Sequence, residues 1–332
     1  LSIQGMRWRW RQSVKSGCQG SYTFLSNTTG MVVRHLGDRL IKLQKNTQAT
    51  SALQASRIQL QESANFMLTN RIPRLFSSWL MGKVSKIKHP WFAQPALWLW
   101  RHFADLSLHE AQKQQFNSIH DCFTRALKPG MRPVATNALG TCPCDGILGA
   151  HGLVENGSLL QVKGFPYAIE ELLVDPVLAM KFHGHRYLTI RITASMYHRM
   201  HSPLDGVVEQ VDYIHGDTWN VNPVALKRVE KLFCKNERAV LSGKTAQGEP
   251  FAIVPVAAIL VAGIRLHCTG RIFNQNDRGP QRVRTHTPIH KGEELGWFEH
   301  GSTIVLLVPP HWNLAQGLAE GSRVFMGQAL FE

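Results

Sequence analysis

The sequence predicts an α+β fold, with a helical N-terminal region followed by a β-rich, sandwich- or barrel-like core. Three observations predict it. Between residues 66 and 110, Trp and Phe alternate with Lys and Arg at helical intervals. From about 116 onward, short β-rich runs are separated by Gly, Pro, Asn and Asp. No regular alternation of strand and helix patterns appears, and no internal repeat, which argues against a doubly wound nucleotide-binding fold.

The chain has 332 residues, of which 44% are hydrophobic, enough for a sizeable core. Its formal net charge of +14 points to an anionic partner: nucleic acid, an anionic lipid surface or an acidic small molecule. No nucleic-acid recognition motif is present, so a nucleic-acid partner is not expected. The six cysteines (Cys18, Cys122, Cys142, Cys144, Cys234 and Cys268) show neither a disulfide framework nor zinc spacing. They read as structural thiols, and no metal is expected. No stretch reaches the ~18 apolar residues of a spanning helix, so membrane contact is expected to be peripheral.

The elements follow in order. Residues 1–65 form a basic extension. Its first sixty residues hold nine Lys/Arg and one acidic residue, Asp38, a composition that suits a targeting presequence or a poorly ordered tail. Met31 and Met67 are alternative starts, and 31–61 has the spacing of an amphipathic helix. In 66–115, Arg71, Arg74, Lys83, Lys86, Lys88 and Arg101 interleave with Phe76, Trp79, Trp91, Trp98 and Trp100. That mixture suits helices lying in a lipid headgroup layer. It equally suits a helical hairpin packed on a core, with Pro90 and Pro95 at its turn. Strands are expected at 159–162, 187–192, 207–213, 239–241, 251–261 and 303–308.

Four residues carry candidate chemistry. Asp145 lies in Pro143-Cys144-Asp145-Gly146, at a turn. His198 and His201 lie in Tyr197-His198-Arg199-Met200-His201; on a strand their odd spacing sends them to opposite faces, free for different tasks. Ser302 follows Gly301 at the head of the apolar run 304–308. Each signal alone is ordinary. Together, an Asp, a His and a Ser supply an orienter, a base and a nucleophile, and a preceding glycine leaves its carbonyl open to attack. The segment is not GxSxG, so the hydrolase elbow does not apply.

From about residue 70 to the C-terminus, the chain resembles the phosphatidylserine decarboxylases. The likeness rests on Ile72-Pro73-Arg74-Leu75, Phe116-Asn117 to Phe123-Thr124-Arg125, Pro143-Cys144-Asp145-Gly146 and Gln161-Val162-Lys163-Gly164. It continues through Tyr197-His198-Arg199-x-His201, Gly216-Asp217, Val221-Asn222-Pro223 and Asn236-Glu237-Arg238. Gly292-Glu293-Glu294-Leu295-Gly296-Trp297-Phe298 then leads into Gly301-Ser302-Thr303. The chain departs from bacterial members in carrying His300 where Leu is common, and in its first sixty-odd residues.

The resemblance implies a pyruvoyl-dependent carboxy-lyase made as a zymogen. Ser302, with His201 as base oriented by Asp145, attacks the Gly301 carbonyl. Autocatalytic cleavage at Gly301-Ser302 leaves a large chain that comprises the β-rich core 116–301 and all that precedes it, and a small chain 302–332 headed by a covalent pyruvoyl group from Ser302. A Schiff base to that group then converts phosphatidylserine to phosphatidylethanolamine and carbon dioxide, with His198 as proton donor or substrate contact. Implied partners are phosphatidylserine in an anionic membrane surface, the two chains of one precursor, and a second copy in a homodimer. The expected place is the bacterial inner membrane, peripherally, or the mitochondrial inner membrane. The alternatives are a pyruvoyl-dependent decarboxylase of a soluble aromatic amino acid, a non-catalytic lipid-surface binding protein and, more remotely, a serine hydrolase.

Overall fold

Two helices open the described chain: α1 (Arg74–Val84) and α2 (Pro90–Phe103). The computed structural model describes Ser63 and residues 74–332, apart from 105, 162–164, 260–262, 275, 276, 278–280, 300 and 301. The helix expected at 31–61 and nearly all of the basic extension 1–65 lie outside the described residues. Pro90 starts α2 at its first turn, where its missing N–H costs nothing. Pro95, expected at the turn, instead falls inside α2. One stripe of α2 (Ala93, Leu97, Trp100) turns inward, and Leu97 joins Ala111, Phe116 and Cys122 in a small cluster. Trp91 and Trp98 on its other faces are 88% and 65% exposed. A third helix, α3 (Ile119–Phe123), is capped by Ser118 Oγ, which accepts from Asp121 N at 3.1 Å.

Sixteen strands follow among the described residues. They are β1 (Gly140–Thr141), β2 (Gly146–Leu153), β3 (Ser158–Leu160), β4 (Pro166–Ala168), β5 (Arg186–Ile192), β6 (Arg199–His201), β7 (Gly206–Ile214) and β8 (Arg238–Thr245). The rest are β9 (Pro250–Ala257), β10 (Ile264–Leu266), β11 (Arg271–Phe273), β12 (Gln281–Ile289), β13 (Glu294–Phe298), β14 (Ser302–Val308), β15 (Arg323–Val324) and β16 (Ala329–Phe331). Eight of them form one antiparallel sheet in the order β12-β7-β8-β9-β14-β5-β2-β15, and four form a second, β11-β10-β13-β6.

The α+β class is as expected, but no sheet closes into a barrel. Closure would require the two edge strands to pair; here β12 and the two-residue β15 stay apart as edges. On β12, Arg282, Arg284 and Pro288 are exposed, which blunts the edge against pairing with another chain.

β14 is buried along its whole length between β9 and β5. Its run Ser-Thr-Ile-Val-Leu-Leu-Val has no polar alternation after Thr303 because both faces are covered. On the face of Thr303 and Val256, Arg238 reaches carbonyls of the short helices Ile169–Leu173 and Leu232–Lys235. The face of Ser302 and Ala257 meets the smaller sheet, where Tyr213 stacks on Phe273 with ring centroids 4.9 Å apart.

Candidate active site

Ser302 opens β14 opposite Ile192 of β5 and Ala257 of β9. Its side chain has no exposed surface, and Oγ has no hydrogen-bond partner among the described residues. A buried hydroxyl in that state costs roughly 1–3 kcal/mol. Such a group in a native fold calls for an explanation, and a chemical role is one. Thr303 Oγ1, on the opposite face, is also buried and unpaired. Gly301 and His300 lie outside the described residues.

The strand end beside Ser302 is built by Asn236-Glu237-Arg238. Asn236 Nδ2 donates to Ala257 O at 2.8 Å and to Trp219 O at 2.9 Å, while Oδ1 accepts from Trp219 N. Glu237 O accepts from Ala257 N at 2.8 Å. Arg238, 2% exposed, spends its guanidinium on the carbonyls of Glu171, Leu172, Cys234 and Asn236. Burial lowers its pKa to about 10. The Glu237 carboxyl is driven up to about 8 by burial, against the opposing effect of the Tyr213 hydroxyl. The motif therefore fixes the loop and strand that frame the serine.

His201, on β6, is held from both sides. Nδ1 lies 2.9 Å from Gly292 O and Nε2 lies 2.9 Å from the Tyr197 hydroxyl. A carbonyl only accepts, so Nδ1 carries the proton, and Nε2 is the basic nitrogen that accepts from Tyr197. Burial lowers the His201 pKa, partly opposed by the bond to Gly292 O, so the neutral base prevails at pH 7. His198 is fully buried with its ring 3.8 Å from that of Phe123. Its Nδ1 donates to Met196 O at 2.8 Å, since a carbonyl only accepts. Arg199, between them, fixes β6: it pairs with Glu294 at 2.8 Å, donates to Thr124 O and lies over the Trp297 ring.

Asp145 does not hydrogen-bond to His201. Its carboxylate takes Arg132 through Nε at 2.9 Å and Nη2 at 2.6 Å, and Met326 N at 2.9 Å. Its charge still favours the cationic form of His201. Arg132 in turn holds Glu110 at 2.8 Å. The segments that carry the predicted residues are nonetheless joined: His201 N donates to Pro143 O at 2.7 Å, and Phe298 N to His198 O at 3.1 Å. Sequence reasoning missed Arg132, which no local pattern marks, and gave Gly292, at the head of the Gly292–Phe298 motif, no role. Tyr197 and Arg199 stood inside the histidine motif without a role.

Two cavities adjoin the Ser302 end of the sheet. One of about 260 Å³ is lined by Phe123, Ile192, Asn220, Asn222 and Ala258 among others. One of about 670 Å³ lies on the Thr303 face, with Leu148, Leu226, Phe233 and Thr303 in its wall. Arg191 lines both. No hydrogen bond or ion pair joins its guanidinium to another described residue, and burial lowers its pKa.

Fold and site together define an α+β protein whose serine is sealed at the head of a central strand of the larger sheet, with His201 on β6 of the smaller sheet and His198 just before it. That layout suits chemistry on the protein's own chain better than attack on an external ester. The sequence profile of the family described as phosphatidylserine decarboxylase matches residues 119–332. A phosphatidylserine decarboxylase proenzyme of Pseudomonas putida strain F1 is 36% identical over 278 residues, covering 78% of this chain and 94% of that relative. The proenzyme of Pseudomonas entomophila strain L48 is 37% identical over 278 residues, with 78% and 94% covered. That of Psychrobacter cryohalolentis strain K5 is 33% identical over 267 residues, with 78% and 95% covered. The chain belongs to the phosphatidylserine decarboxylase family.

Proposed function

We propose that the protein is a self-processing decarboxylase that converts phosphatidylserine to phosphatidylethanolamine and carbon dioxide. The observation that carries the reading is the buried Ser302 hydroxyl at the head of β14, without a hydrogen-bond partner among the described residues, in a chain of this family. In self-processing, Ser302 Oγ attacks the carbonyl carbon of residue 301 while His201 Nε2 takes its proton. The peptide C–N bond gives way to an ester. Elimination breaks the Oγ–Cβ bond and frees the residue 301 carboxylate. Hydrolysis of the resulting dehydroalanine releases ammonia and leaves the pyruvoyl end on chain 302–332.

The residues present fit such a group, since an orphaned buried hydroxyl is what its formation consumes. Once formed, it supplies a carbonyl that condenses with the substrate amine and takes up the electron pair left by carbon dioxide. The chain's own residues do the rest. His198 Nε2 returns a proton to the substrate carbon. Arg191, a half-buried cation lining both cavities, receives the substrate phosphodiester as its missing partner. The exposed aromatic face of α1 and α2 holds the enzyme peripherally on the anionic membrane that contains the substrate.

Intact mass and carbon dioxide release from phosphatidylserine vesicles, with free tryptophan as the competing substrate, test this reading. Wild type yields two chains and turns over the lipid. Ser302→Ala stays one chain and releases none, and Arg191→Gln cleaves but shows a raised KM. A wild-type chain that releases carbon dioxide while still continuous at residue 302 overturns the proposal.

A further inference from the structure

Glu299 stands three residues before Ser302, and its surroundings are unusual. The side chain is only 3% exposed, yet it is a carboxylate, and it faces a lysine and a histidine. Lys86 Nζ lies 2.8 Å from Oε2, and His120 Nε2 lies 3.3 Å from Oε1. Burial acts to raise its pKa, but His120 and Lys86 outweigh it and hold the carboxyl at about 2. Its backbone is held as well: Glu299 N donates to Gly263 O at 3.0 Å. Neither the mechanism above nor the packing of the core uses this cluster.

We propose that Lys86, His120 and Glu299 form an electrostatic clamp that positions the backbone entering Ser302 for self-cleavage. The inference rests on the self-processing reading and names positioning residues within it. The argument is one of span. Ser302 is fixed in β14 by pairing on both sides, and Glu299 is fixed by Lys86, His120 and Gly263. From Glu299 to Ser302 the chain makes three Cα–Cα steps, a reach of at most about 11 Å. Anchoring both flanks shortens the search by which the carbonyl before Ser302 meets its hydroxyl. These two partners are themselves anchored. Lys86 follows α1, and His120 N donates to Ser85 O at 2.9 Å, so the end of α1 and the start of α3 move as one against Glu299.

The test is the rate of conversion of newly translated full-length chain into its two fragments, followed by intact mass. Glu299→Gln and Lys86→Met slow conversion by on the order of 10- to 100-fold. Lys86→Arg, which keeps the cation, restores a rate near wild type. Folding is read separately, from thermal melting of each variant in an uncleavable Ser302→Ala background. Lys86 is half exposed, and its Met variant melts with its parent. The clamp is overturned if Lys86→Met and Glu299→Gln cleave as fast as wild type, or if they slow only in step with lost folding. A wild-type chain that never cleaves would instead sink the self-processing reading beneath it.

Discussion

Two histidines that look alike in sequence are committed to single tautomers by carbonyls far from them in the chain. Gly292 O and Met196 O each accept a hydrogen bond from Nδ1–H, leaving Nε2 as the nitrogen that the proposed chemistry would use in His201 and His198. For His201 this has a pH consequence. Burial depresses its pKa below the ordinary value, and only the neutral ring accepts the Ser302 proton. Self-processing therefore keeps its full rate at neutral pH and falls only as pH drops below the usual histidine value of ~6.5. A pH series of the processing rate checks this; an acid limb centred above that value contradicts the burial argument. The sequence marks His201, Asp145 and Ser302 because their types and neighbours are distinctive. It does not show that Asp145 pairs with Arg132 and Met326 rather than with His201, since those partners are set by loops that only the fold brings together.

Elements were legible where one physical signal dominated. The aliphatic run of β14 reads as a buried strand, and β5, β7, β8 and β9 follow from β-branched clusters between turn residues. β2 escaped notice because its three glycines look like loop. Gly149 shows why they are there: a Cβ would press on Thr189 of the neighbouring β5. β12 escaped because its arginines and Pro288 disguise an edge strand. The place of β14 bears on what cleavage does. The small chain 302–332 contributes the central strand, in register with seven residues of β5 and six of β9. In both ladders β14 lies on the C-terminal side of the bond proposed to break and its partners on the N-terminal side, so the ladders join the two proposed chains and cleavage removes none of their hydrogen bonds. The two chains are expected to elute together in native size-exclusion chromatography and to part only in denaturant. Spontaneous loss of the small fragment from active enzyme would contradict that placement.

Over the whole molecule, charge and exposed aromatic surface act together. The chain carries a formal +14, and no described helix is long and apolar enough to cross a membrane. Yet Trp79, Trp91 and Trp98 are 52%, 88% and 65% exposed, beside the exposed Lys83, Lys86, Lys88 and Arg101. Water gains nothing from such rings, whereas the headgroup layer takes both ring and cation. Attraction of the cations to anionic lipid is screened beyond ~10 Å at 0.1 M salt; burial of the rings is not. The two contributions can thus be separated by titration. Wild-type protein binds phosphatidylserine-containing vesicles more tightly than neutral ones, and added salt erodes that difference. The double change Trp91→Ser and Trp98→Ser weakens binding at every salt concentration. Withdrawing two partly inserted rings costs about 1–3 kcal/mol, or roughly one to two powers of ten in the partition coefficient. Cosedimentation with vesicles measures both effects. If the double variant partitions like wild type in high salt, the aromatic face is not the membrane contact, and the helices serve the core alone.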